Sequence, residues 1–136
     1  MLSPTLESVR LFLHVLAASV WVGGQITLAG LVPAVRRSYP QATKLIAQTF
    51  ARVAWPAFGV AVLTGMWNLM AENITSHSSA WQATILLKIA VAIASGVFAA
   101  IHTVGKTKLA LALGGALGAL TAIAAMYLGI LLNAAH

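Results

Sequence analysis

Four long apolar segments dominate this 136-residue chain and restrict what it can fold into. A membrane-spanning helix needs roughly 20 apolar residues. Segments that meet this length cover about residues 9–35, 52–72, 81–104 and 109–133. Charged residues make up 7% of the chain, whereas soluble domains have about 25%. The sequence therefore predicts an all-α integral membrane four-helix bundle, with residues 1–136 forming a single transmembrane domain.

The positive charges indicate how the helices are oriented. Arg and Lys residues lie between the first and second segments and between the third and fourth, but none lies between the second and third. The positive-inside rule then places both termini outside, in a multi-pass protein of the plasma (cytoplasmic) membrane whose main partner is lipid. Because the cations behind the net charge of +6 lie mostly at membrane borders, we do not expect nucleic-acid binding.

Two further patterns concern packing. Residues 40–51 form an amphipathic lead-in to the second span, which predicts helix lying at the membrane surface. In the fourth segment, Gly114 and Gly118 form a GxxxG pattern, which lets helices approach closely. That pattern has two uses, namely packing inside the bundle or a homodimer interface formed through Gly114 and Gly118.

Lys88 is the most costly residue of the apolar segments. It lies within residues 81–104, a run that contains no acidic residue. A lysine at the centre of a membrane helix costs about 2.5–3.5 kcal/mol on insertion scales. We interpret Lys88 as part of a functional site; the alternative is an amine that extends along its stem to the outer headgroups.

Other polar residues recur at helical spacing, which places each set on one face of its helix. The sets are His14, Trp21 and Gln25 in the first segment; Thr64, Asn68 and Glu72 in the second; and Lys88, Ser95 and His102 in the third. Lipid does not solvate such groups, so each set should face the bundle interior.

Depth along the helices selects the members of a candidate cofactor site. At a rise of ~1.5 Å per residue, His14, Asn68 and Lys88 each lie about 6–10 Å from the outer end of a predicted span. We therefore expect them in one layer of the outer leaflet, with Trp21 lining the interior. His102 lies near the inner end of its span, so His14 and His102 should not share a metal ion.

A copper site is the candidate metal centre. Met66 and Met70 are four residues apart in the last turns of the second segment. Two thioethers together with the His14 imidazole form a soft ligand set suited to copper(I), although methionines also serve simply as packing. The chain has no cysteine and no catalytic triad, carboxylate pair or phosphate loop, so hydrolysis is not expected and enzyme activity stays open.

The stretch from Leu13 to Gly24 resembles the opening of the copper resistance D (CopD) domain family. Its histidine is followed seven residues later by Trp21 and then by a glycine pair. Residues 52–69, which contain a Thr-Gly step, and residues 86–90 resemble the second and third helices of that family. The resemblance covers about residues 9–104 and implies a membrane protein that binds or moves copper.

The same residues resemble, more distantly, the HemJ-type protoporphyrinogen oxidases. Those enzymes carry a histidine on the first helix and a lysine on the third. The resemblance implies haem b or a porphyrin bound near His14 and Lys88. An accessory subunit of a larger complex is a third possibility, in which the polar residues only join helices. The CopD resemblance favours copper, whereas the positive charge of Lys88 favours an anionic tetrapyrrole.

Overall fold

The computed structural model describes residues 1–135, and these are almost entirely α-helical. The four helices are α1 (Leu6–Ser38), α2 (Ala42–Ala71), α3 (Ser79–Val104) and α4 (Lys108–Ala134), with one turn of 3₁₀ helix at Ile74–Ser76. Each α-helix is long and apolar enough to cross a membrane. The prediction of an all-α fold with four helices that could each span a membrane is confirmed, and this is the pattern of a multi-pass membrane protein.

The chain forms two compact units, each a pair of consecutive helices. The first unit, Met1–Glu72, contains α1 packed on α2. The second unit begins at Asn73 and contains α3 packed on α4. Most residues of the predicted lead-in lie within α2, which runs without a break from Ala42 through Pro56 to the end of the span.

Side-chain caps set three of the helix starts. Thr5 accepts a hydrogen bond from the Ser8 backbone, and the Ser8 side chain accepts one from the Thr5 backbone in return. Ser78 caps α3 and Thr107 caps α4 in the same way, each through its hydroxyl. These bonds satisfy backbone N–H groups that a helix start leaves without an internal partner.

Aromatic packing around Trp21 joins α1 to α2. Trp21 is buried, and its ring centroid lies 4.5 Å from that of Phe58 and 5.4 Å from that of Trp55. Further along α1, Gly24 lies directly against the ring of Phe50, so a side chain at this position would require the ring to move.

The GxxxG pattern of α4 is used within the second unit. Gly114 and Gly118 are both buried. A Cβ atom at Gly114 would lie 2.8 Å from the backbone nitrogen of His102, and the Gly118 carbonyl accepts a hydrogen bond from Ser95. The two glycines therefore lie against α3. A homodimer through the same residues stays a prediction that this contact does not support.

Candidate functional site

His14 is held against α2 by its Nδ1 atom. This nitrogen lies 2.9 Å from the carbonyl oxygen of Ala61 and 3.1 Å from the hydroxyl oxygen of Thr64. A carbonyl oxygen only accepts hydrogen bonds, so Nδ1 carries the proton and donates. In a neutral imidazole, Nε2 is then the nitrogen with the lone pair, which is the atom that binds metals or accepts protons.

Thr64 and Gly65 of α2 form the surface on which this imidazole packs. The Thr64 hydroxyl donates to the carbonyl of Val60 at 2.6 Å, which leaves its oxygen to accept from His14. A Cβ atom at Gly65 would lie 3.1 Å from Cε1 of the imidazole, closer than almost all real contacts of that kind. Threonine therefore supplies an acceptor, and glycine supplies the space for the ring.

Arg10 and Asn68 form a second contact of the same kind. The Arg10 Nε donates to the Asn68 side-chain oxygen at 2.5 Å, and the bond is partly buried. Arg10 precedes His14 by four residues and Asn68 follows Thr64 by four, so each lies one helical turn from its neighbour. We call these five residues, Arg10, His14, Thr64, Gly65 and Asn68, the α1–α2 seam.

Sequence reasoning placed Asn68 near His14 but did not select Arg10. The available signal was spacing, because a residue four positions before His14 lies on the same helix face. Charges near helix ends were interpreted only as signs of topology.

Trp21 lies seven residues beyond His14, in the aromatic layer with Trp55 and Phe58. Along α1, the polar contact of Arg10 and the aromatic layer of Trp21 thus lie on opposite sides of His14.

Met66 and Met70 lie away from the seam. Their side chains are 55% and 83% exposed. Each follows a seam residue of α2, Thr64 or Asn68, by two positions, a rotation of about 200° around the helix. Within residues 1–135, no three His, Cys, Asp or Glu side chains lie close enough together to hold a metal ion. The three-residue copper set of His14, Met66 and Met70 stays a prediction.

Lys88 belongs to the second unit and contacts α4. It is half-buried, and a Cβ atom at Gly129 would lie 3.0 Å from its Nζ. The sequence from Asn73 onward contains no aspartate or glutamate, so this unit has no carboxylate side chain to balance the amine.

The other polar residues of α3 also contact α4, as their spacing of seven predicts. The Ser95 hydroxyl donates to the Gly118 carbonyl at 3.1 Å. Nδ1 of His102 lies 2.6 Å from the Leu111 carbonyl oxygen, so it donates to that carbonyl. His102 follows Lys88 by 14 residues, which is ~21 Å along the helix. These two residues therefore belong to different depths of the second unit.

A search with protein-family models, curated proteins and solved structures finds no significant match for this chain.

The groups around the α1–α2 seam limit the kind of ligand that it can bind. They combine one oriented imidazole with one guanidinium a helical turn away and an aromatic layer on the other side. Such a donor set suits a group that takes one protein nitrogen ligand and carries a negative charge at one edge.

Proposed function

We propose that this chain is a haem-binding membrane protein in which Nε2 of His14 is an axial ligand of haem b. The bond from His14 Nδ1 to the Ala61 carbonyl carries the proposal. A metal-ligating histidine almost always donates its other ring N–H to a carbonyl, carboxylate or water, which fixes the tautomer and the ring orientation. Histidine is also a common axial ligand of haem iron.

The surroundings of His14 support haem over a copper ion. A copper(I) site uses several soft ligands, and the two candidate thioethers lie on another side of α2. The Arg10 guanidinium one turn away opposes a bound cation and attracts an anion. Haem needs only one or two protein ligands and carries two carboxylates. The seam residues therefore match haem in ligand number and in charge.

The residues around His14 have separate tasks in this proposal. His14 would bind the iron, while the Ala61 carbonyl and the Thr64 hydroxyl orient its ring by accepting hydrogen bonds from Nδ1–H. Trp21 belongs to the aromatic layer that excludes water from the inner side. When bound, haem supplies one-electron chemistry, for which the protein provides ligation and electrostatics. Lys88 remains the expected partner of an anionic group, as the resemblance to HemJ-type oxidases implies.

A haem titration of the purified protein tests the proposal. The wild type in detergent is expected to bind one haem and to develop a Soret band. His14→Gly should lose the band, and added imidazole should restore it by supplying the missing ligand. Recovery of this kind separates loss of a ligand from misfolding. His102→Ala is the matched control, because it removes an imidazole from the second unit, and it should bind as the wild type does.

Two other results would overturn the haem proposal. If the wild type shows no Soret band but binds copper stoichiometrically, and loses it in Met66→Leu with Met70→Leu, the CopD-type function is correct. If it binds neither haem nor copper and instead co-purifies with another membrane protein, it is an accessory subunit. A Soret band that persists in His14→Gly without imidazole would exclude His14 as the ligand.

A further inference from the structure

Arg10 is held in a defined position by α2. Its Nε donates to Asn68, and because a guanidinium is planar, this bond at one edge restricts the orientation of the whole group. The four remaining N–H donors are on Nη1 and Nη2. A pair of parallel donors of this kind matches the two oxygens of a carboxylate. Asn68 thus positions the paired N–H donors of Arg10 so that they can bind an anion.

The contact with Asn68 leaves the charge of Arg10 in place. Asn68 is a neutral amide, so the bond fixes the guanidinium without neutralising it. The first unit contains only two acidic residues, Glu7 and Glu72. Glu7 is exposed in the first turn of α1, where a carboxylate stabilises the helix start, and Glu72 is the C-cap residue of α2. The positive charge of Arg10 is therefore available to an anion that the protein binds.

Polarity also decreases in one direction along α1. Arg10 comes first, His14 lies one turn or ~6 Å further on, and Trp21 lies ~10 Å beyond His14. Haem has the same order, with carboxylates at one edge, the metal in the middle and an apolar edge opposite. We propose that Arg10, positioned by Asn68, binds a propionate carboxylate of the haem ligated by His14. This inference rests on the proposed function and names the feature of the ligand that the site selects.

A comparison of haem with its dimethyl ester tests this role. Both carry the same iron and ring, but the ester has no carboxylate. The wild type is expected to bind haem at least about tenfold more tightly than the ester, because the ester lacks the charged partner of the Arg10 hydrogen bonds. Arg10→Gln should weaken haem binding by about tenfold or more and leave ester binding within about twofold of the wild type.

Two more variants separate positioning from net charge. Arg36→Gln removes one positive charge from the exposed far end of α1 and should change neither affinity. Asn68→Ala frees the guanidinium and should cause part of the loss seen in Arg10→Gln, again for haem only. Unchanged ester binding by each variant also reports that the protein is folded.

The possible failures are distinct. If the wild type binds haem and the ester equally well, or if Arg10→Gln weakens both equally, the carboxylate role of Arg10 is wrong and the haem proposal stands. The bond between Arg10 and Asn68 would then serve only to join the two helices. If the wild type binds neither compound, both the haem proposal and this inference are overturned.

Discussion

The carbonyl of Ala61 accepts a hydrogen bond from Nδ1–H of His14 although it already belongs to a helix. A carbonyl oxygen has two lone pairs, so it can take a second donor in addition to its helical one. The absence of a side chain at Gly65 keeps that oxygen within reach of the ring. The Ala61 carbonyl therefore determines which nitrogen of His14 carries the proton, and Gly65 leaves room for the ring.

Gly65→Val tests whether Gly65 positions the imidazole of His14. A branched side chain would enter the space of the ring, since even a Cβ atom lies 3.1 Å from Cε1. We expect the haem affinity to fall about tenfold, because overpacking costs about 1–3 kcal/mol. The haem titration midpoint measures the effect. Gly59→Val, on the same helix with no atom near its Cβ position, is the control. Equal midpoints in the two variants would show that Gly65 does not position His14.

At the residue scale, the sequence predicted some members of the site and missed others. His14 and Asn68 were selected from their spacing and depth in an apolar context. Arg10 was missed because one cation near a helix end has several uses, and only its partner on α2 shows which one applies. The rotation of α2 directs Met66 and Met70 away from the seam, and rotation depends on packing that a single sequence does not show.

The two helix pairs share one packing arrangement. In each, a basic side chain from the first helix lies against a glycine of the second: His14 against Gly65, and Lys88 against Gly129. Helical spacing predicted the face on which His14 and Lys88 lie, because the period of 3.6 is a local property. It did not predict the glycine contacts, since these depend on which turns of the two helices lie side by side.

Gly114→Ala tests the packing of α3 on α4. The new methyl group would lie 2.8 and 2.9 Å from backbone atoms of α3, which cannot turn aside as a side chain can. We expect the helices to separate, with a loss of about 1–3 kcal/mol in the free energy of unfolding. Unfolding in mixed micelles, followed by circular dichroism, gives this value. Gly30→Ala, where no atom lies within 4 Å, should unfold like the wild type. A loss of similar size in both variants would contradict the close approach.

For the whole molecule, composition was sufficient to predict the fold class and the number of spans. The apolar segments exceed the thickness of a bilayer, and few charges interrupt them. α1 and α3 begin a few residues before the predicted spans, where Thr5 and Ser78 cap them. Hydrophobicity alone does not register these caps.

The orientation of the helices in the membrane is testable by cysteine labelling, because the chain has no cysteine of its own. With both termini outside, a membrane-impermeant maleimide should label Ser3→Cys and Thr75→Cys in intact cells. Ser38→Cys, at the end of α1, should react only after the membrane is permeabilised. The opposite pattern would show that the positive charges do not set the orientation expected here.

The pairing of neighbouring helices bears on how the protein is made. The described partners of His14 lie 47 and 50 residues later, so a ribosome that has completed residues 1–72 has already produced both sides of the α1–α2 seam. The α1–α2 hairpin can form these bonds without any residue of the second unit, because both sides of each described contact lie within residues 1–72. Biogenesis in two successive hairpins would keep the costly residues of each pair from meeting lipid alone.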